Sequence, residues 1–334
     1  MSGERRRLAR GSKVLWGLFL GCVALAGVGA IGDFRRIGTV LGTFPPAYLA
    51  GALALASANY LLRWVRWETY LGRLGVRISR KRSLLVFGSG LGFSLSPGKA
   101  GELVKSYLLR DAFGTEVRRS APAVLMERVS DLAGVLLLGL GGAAGYRYGW
   151  KLLGVGAGLL AGALFLAGSP LSARWMARLL PTRAEAFREA QRNVRALLSP
   201  WPATAGTVLA LAAWFAECYA FWWVLRGVGS QVSLAAATFI YCLATLVGAL
   251  SFLPGGLLAT EGSMVAALTL LRVDAPSAAA ATVIIRACTL WYAVALGATA
   301  IWLWGRHRKG EPMQADRGPN QGQGSPSGSN SGKS

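Results

Sequence analysis

The sequence predicts an all-α protein: a polytopic transmembrane bundle of about eight spans, with re-entrant or broken helices at two Pro-Gly motifs. Three observations predict it. Of the 334 residues, 53% are hydrophobic and only 15% are charged, where an ordinary soluble domain carries about a quarter charged residues. The apolar residues fall in blocks of about 18 or more, long enough to cross a bilayer. The basic residues, which give a formal net charge of +21, sit in short segments between those blocks. That distribution sets membrane orientation and points to anionic lipid, and no nucleic-acid partner is expected from it.

Taken in order, Arg5, Arg6, Arg7, Arg10 and Lys13 precede an apolar block at 14–31. The block imitates a signal peptide, with Val28-Gly29-Ala30 as a small-residue site. Its length and the spans that follow predict a retained first helix. A second span covers 47–70. After a basic stretch comes the run 84–93, too short to cross, and then a polar-apolar helix at 99–110. Full spans are predicted at 121–146, 151–168, 203–226 and 232–253, followed by an apolar stretch at 257–271 and a long last span at 276–304. The segment 171–199 carries arginines at 174, 178, 183, 188, 192 and 195, which reads as a surface amphipathic helix. Residues 1–309 are expected to form one membrane domain. The Gly/Ser-rich remainder, 310–334, is expected to be a disordered tail.

Segments 1–13, 72–82, 99–119, 171–199 and the tail after Gly305 hold five or six Lys and Arg each. The opposite side holds Arg35, Arg36, Arg147, Lys151, Arg226 and Arg272. The positive-inside rule then places both termini in the cytoplasm of a multi-pass protein of the cell or inner membrane. It also requires the run 84–93 to enter and leave on one side. The four cysteines, Cys22, Cys218, Cys242 and Cys288, are far apart in apolar blocks, so no disulfide framework is expected. With one histidine, His307, zinc and His-dependent hydrolase chemistry have little support. No cofactor is implied, and there is no GxxxxGK[ST] nucleotide fingerprint.

Only two Pro-Gly dipeptides occur, Pro97-Gly98 and Pro254-Gly255. Each follows a serine by three residues (Ser94, Ser251) and precedes a glutamate (Glu102, Glu261). A Pro-Gly break frees backbone groups that must be buried in protein or line a wet cavity. The helix that restarts offers unpaired N–H groups and a positive dipole end, which suits an anion. Paired breaks in the two halves of a chain point to a mid-membrane binding site. The expectation is two helix N-termini aimed at one polar cavity, with Glu102 and Lys105 just after the first break. The plainer reading is a pair of loop turns.

Ionisable residues inside spans face a bundle interior or a cavity. Asn59, Arg63 and Arg66 share a helix face. Arg63 lies deep and is read as functional, while Arg66 and Glu68 are read as snorkelling to the interface. Glu127, Arg128 and Asp131 are read as a local network. Glu217 and Arg286 are lone charges in separate spans, expected to pair with each other or, for Arg286, with Glu261.

The pieces RWVRW (63–67), PGKAGELVKSYLLR (97–110), MERVSD (126–131), LPGGLLATEG (253–262) and IIRACTLWY (284–292) together resemble the lysylphosphatidylglycerol synthase transmembrane family, also called flippase-like or UPF0104 proteins. The resemblance implies an eight-span bundle with re-entrant segments that translocates lipids with charged headgroups. Full-length synthases add a soluble aminoacyl transferase domain. The Gly/Ser-rich tail here implies no synthase activity.

The combined expectation is a non-enzymatic lipid flippase or lipid-binding transporter. Arg63, Arg128 and Arg286 would contact the phosphate of an anionic phospholipid or polyprenyl phosphate. Gly98, Gly255 and Gly256 would allow close backbone approach. Glu127, Asp131 and Glu261 would hold the arginines or meet a cationic headgroup. The alternatives are a scaffold for partner membrane enzymes and, behind it, a membrane glycosyltransferase. The sequence fixes no oligomeric state.

Overall fold

The computed structural model describes residues 34–96, 101–143, 149–179 and 184–310. The predicted first span, Gly98 and residues 311–334 lie outside them. The described residues are helical, with no strand among them.

Helix α1 (Phe34–Gly42) meets α2 (Pro46–Arg73) at 83°. Pro46 suits a first helical turn, where a missing N–H costs nothing. Gly75, at φ +67, lets the Val76 N–H reach the Leu71 carbonyl at 3.0 Å and closes the far end of α2. Helix α3 (Arg80–Leu91) follows, then α4 (Val104–Phe113) and α5 (Val117–Ala143). Helix α6 (Gly149–Gly168) leads into α7 (Pro170–Leu179) and α8 (Ala184–Leu197). Helices α9 (Pro200–Gly227), α10 (Leu234–Leu250), α11 (Ala259–Leu270) and α12 (Ala275–Arg286) come next. A π-helical turn, Ala287–Trp291, joins α12 to α13 (Tyr292–Gly310).

Among the described residues, two helices are long and apolar enough to cross a bilayer, α9 and the continuous Ala275–Arg306. The bent pair α1–α2 makes a third if it is counted as one span. Helix α5 has the length but carries Glu127, Arg128 and Asp131. The predicted span at 232–253 and the apolar stretch at 257–271 are helices of 17 and 12 residues, short of the roughly 20 that a crossing needs.

Contacts fix the directions. Helices α2 and α9 run antiparallel: Gly51 packs on Trp223, Asn59 Nδ2 donates to the Ala213 carbonyl at 2.8 Å, and Gly206 packs on Tyr70. Helix α3 runs antiparallel to α13, with Gly88 against Ala300 and the Gly92 backbone against Gly297. At about 1.5 Å per residue, α2 and α9 are about 42 Å long, α3 about 18 Å and α10 about 25 Å. The pair α3–α4 therefore rises partway from one end, and α10–α11 descends partway from the other. Their tips touch. Leu95 packs against Leu257 and Leu290, and the space a Cβ on Gly255 would occupy lies 2.8 Å from Leu95 Cδ2.

Three expected boundaries move. The helix over the run 84–93 begins at Arg80. The helix placed at 99–110 begins at Val104, after a single 3-10 turn at 101–103. The single amphipathic helix expected over 171–199 is two helices, α7 and α8. Pro181 falls between them in the sequence, and proline breaks a helical ladder.

Candidate functional site

The first hairpin tip carries a buried ion cluster. Helix α2 supplies Arg63 and Arg66, about 15 and 10 Å from its end at Arg73. The segment entering α4 supplies Glu102 and Lys105, and α5 supplies Glu127, Arg128, Ser130 and Asp131. Arg66 is fully buried. It donates to Asp131 Oδ1 at 2.7 Å and to Ser130 Oγ at 3.1 Å. Trp214 Nε1 donates to the same Asp131 oxygen at 3.1 Å. Lys105 pairs closely with Glu127 and lies 3.6 Å from Glu102. Its ammonium sits over the Trp67 ring at 4.5 Å and the Phe87 ring at 5.4 Å, an arrangement that compensates a desolvated cation.

The remaining two arginines are held differently. Arg128 bridges Glu102 and Asp131, each at 3.0 Å, and its side chain is 24% exposed. Arg63 is 3.8 Å from Glu102 and 3.9 Å from Asp131. Its Nε is buried with no hydrogen-bond partner. Four cations and three carboxylates thus share the cluster joined by ion pairs among the described residues.

At the second tip, Pro254–Gly256 form a 3-10 turn with Gly255 and Gly256 at φ +62 and +66. Leu258 has φ +70 and Phe252 φ +53, where a side chain strains the backbone. Arg286 donates to Glu261 and, at 2.8 Å, to the Gly255 carbonyl. Glu261 lies in the first turn of α11, where the positive end of the helix favours a carboxylate. Just past Arg286, the Thr289 carbonyl accepts from Tyr60 Oη at 2.6 Å. Tyr60 is one turn from Arg63, so the last helix is tied to α2 between the two tips.

Several expectations change. Arg66 does not snorkel; Asp131 holds it inside. Glu68 stays half-buried and accepts from Ser83 Oγ. Arg128 pairs with Asp131 inside MERVSD as expected, but Glu127 pairs with Lys105 on α4 and Arg128 also with Glu102, so the network extends across elements. Of the two partners considered for Arg286, the structure takes Glu261. Glu217 instead accepts from Tyr241 Oη at 2.8 Å. The two tips meet through leucines. Gly255 approaches Leu95, and Gly256 approaches Gly248 and Thr260. A cavity of about 630 Å³ lies elsewhere, between the α9–α10 and α11–α12 turns, lined in part by Gln231, Arg272 and Asp274. Cys218 and Cys242, distant in sequence, are free thiols with sulfurs 3.8 Å apart. Sequence reasoning missed Arg66, Ser130 and Trp214. A buried indole N–H needs an acceptor, but the sequence does not say which.

The family model described as "Lysylphosphatidylglycerol synthase TM region" matches residues 14–297. A UPF0104 membrane protein of Methanothermobacter thermautotrophicus is 23% identical over 320 residues, covering 86% of this chain and 94% of that protein. Another protein of that name from the same organism is 35% identical over 91 residues, 27% of each chain. Glycosyltransferase AglD of Haloferax volcanii is 31% identical over 150 residues, 42% of this chain. The match spans only about a quarter (24%) of AglD's length. With its helices, its apolar spans and this match over most of its length, the chain is a membrane protein that belongs to the lysylphosphatidylglycerol synthase transmembrane-region family.

Proposed function

We propose that this protein is a lipid translocator that holds the anionic headgroup of a phospholipid or polyprenyl phosphate at the first hairpin tip. The observation that carries this reading is the charge balance of the paired cluster, where four cations share three carboxylates. The ion-paired set holds one cation more than carboxylates, a balance that favours an anion, and a phosphate is an anion of the right kind. Arg66 and Lys105 are committed to Asp131 and Glu127 and act as the frame. Arg63, with its long ion pairs, and Arg128, the most exposed of the four, are the groups that turn to the ligand. Arg286 and Glu261 at the opposing tip form the second station.

In this reading the two hairpins are re-entrant from opposite faces, so six helices cross, the expected one at 14–31 included, and both termini face the cytoplasm. The basic segments gathered at the α2 C-terminal end support that orientation. The reading assigns the chain no catalytic step, because its buried carboxylates hold cations or, for Glu217, a tyrosine hydroxyl. In liposomes, transfer of a tail-labelled anionic lipid is expected to slow at least about tenfold in Arg63→Ala and in Arg128→Ala, a loss of about 1.4 kcal/mol of binding. Transfer at the wild-type rate in both variants sinks the proposal.

The partial likeness to AglD supports a second reading, a membrane module serving glycosyl transfer onto a lipid. Sugar transfer to a polyprenyl phosphate by the purified protein would favour it.

A further inference from the structure

Helix α7 leaves one of its faces unpartnered. Leu171, Trp175 and Leu179 recur every fourth residue and so form one ridge. They are 49, 65 and 75% exposed. Arg174 and Arg178 are exposed along one flank of that ridge. The ridge has a fixed direction, because α7 is tied to its neighbour at its start. Gln191 Nε2 on α8 donates to the Ser169 carbonyl at 2.6 Å and to the buried Ser172 Oγ at 3.0 Å.

Helix α8 is oriented the other way. Its Val194 and Leu197 are buried with Leu74, Val76 and Val124 at the basic end of the bundle. Glu189 pairs with Arg118 at 2.8 Å. The two helices read together from sequence as one basic amphipathic segment therefore have different duties. Helix α8 packs on the protein, and α7 turns its apolar ridge outward. Helix α7 also starts two residues after the apolar helix α6 ends.

We propose that α7 is an interfacial anchor that docks on an anionic lipid leaflet. Leu171, Trp175 and Leu179 enter the headgroup–acyl boundary, and Arg174 and Arg178 meet lipid phosphates. An apolar ridge with a central tryptophan and flanking arginines is complementary to such a surface. Each arginine near an anionic surface adds roughly a fivefold preference. This inference does not depend on the translocation reading.

The test is hydrogen exchange by mass spectrometry on the whole protein in two lipid nanodiscs, phosphatidylcholine alone and phosphatidylcholine mixed with phosphatidylglycerol. Exchange across 170–179 is expected to be at least about tenfold slower in the phosphatidylglycerol discs. In Arg174→Gln/Arg178→Gln that difference should vanish, while exchange across 184–197 stays as in wild type and reports an intact fold. Equal exchange of 170–179 in the two discs overturns the proposal. So does a phosphatidylglycerol effect that survives the double substitution. Slow exchange appearing only when a membrane extract supplies a protein partner overturns it as well.

Discussion

Lys105 and Glu127 come from different helices, and each is buried against the other at the first hairpin tip. Replacing Glu127 by Ala leaves a buried ammonium with only Glu102, 3.6 Å away. The expected loss is about 3 kcal/mol, seen as a lower thermal midpoint in detergent. The double variant Lys105→Met/Glu127→Leu should recover most of it, because the desolvation cost goes with the charges. Arg66→Ala should be damaging too, since it removes the shortest ion pair of Asp131 and leaves that carboxylate to Arg128 and Trp214. Arg63→Ala should cost less stability, because its ion pairs are long. Similar stability losses for Arg63→Ala and Arg66→Ala would contradict the division into frame and ligand groups. Charged residues inside apolar blocks made Arg63, Glu127, Arg128 and Asp131 legible as site residues in the sequence. The depth of Arg66 was not legible. A helical position says which face a side chain takes, but Asp131 and Trp214 on other helices decide whether it stays inside.

At the scale of elements, the half-height hairpins depend on close crossings. Helix α3 meets α13 at Gly92 and Gly297, where each backbone fills the space of the other's side chain. Gly297→Leu should therefore separate the first hairpin from the last helix and cost about 1–3 kcal/mol, while a leucine at the uncrowded Gly305 should not. The end of α11 carries the opposite error. Arg272 occupies a left-handed position at φ +63, with the Val273 N–H reaching the Leu268 carbonyl at 3.1 Å. Glycine is the natural residue there, so Arg272→Gly should raise stability by about 0.5–1 kcal/mol. An unchanged or lower midpoint would contradict the strain. Hydropathy found the helices themselves, since their apolar runs are long and bounded by glycine and proline. It overstated α10 as a full span because Phe252 and Leu253, just past the helix end, are themselves apolar. A break made by backbone angles leaves little trace in hydropathy beyond its Pro-Gly.

At the scale of the whole molecule, two partial hairpins enter from opposite ends and touch at Leu95, Leu257 and Leu290. An ion cluster lies beside each tip. The tyrosine on α2 that reaches Thr289 joins the two levels. The translocation reading needs an anion to reside at the first cluster, and that is its central claim. Native mass spectrometry of gently extracted protein tests it most directly, comparing wild type with Arg63→Ala/Arg128→Ala. The prediction is a retained anionic lipid on the wild type, identified by its mass and lost from the variant, with Arg66 and Lys105 keeping the fold intact. Absence of any specific lipid on the wild type, or the same lipid retained by the variant, would contradict a headgroup site at this cluster.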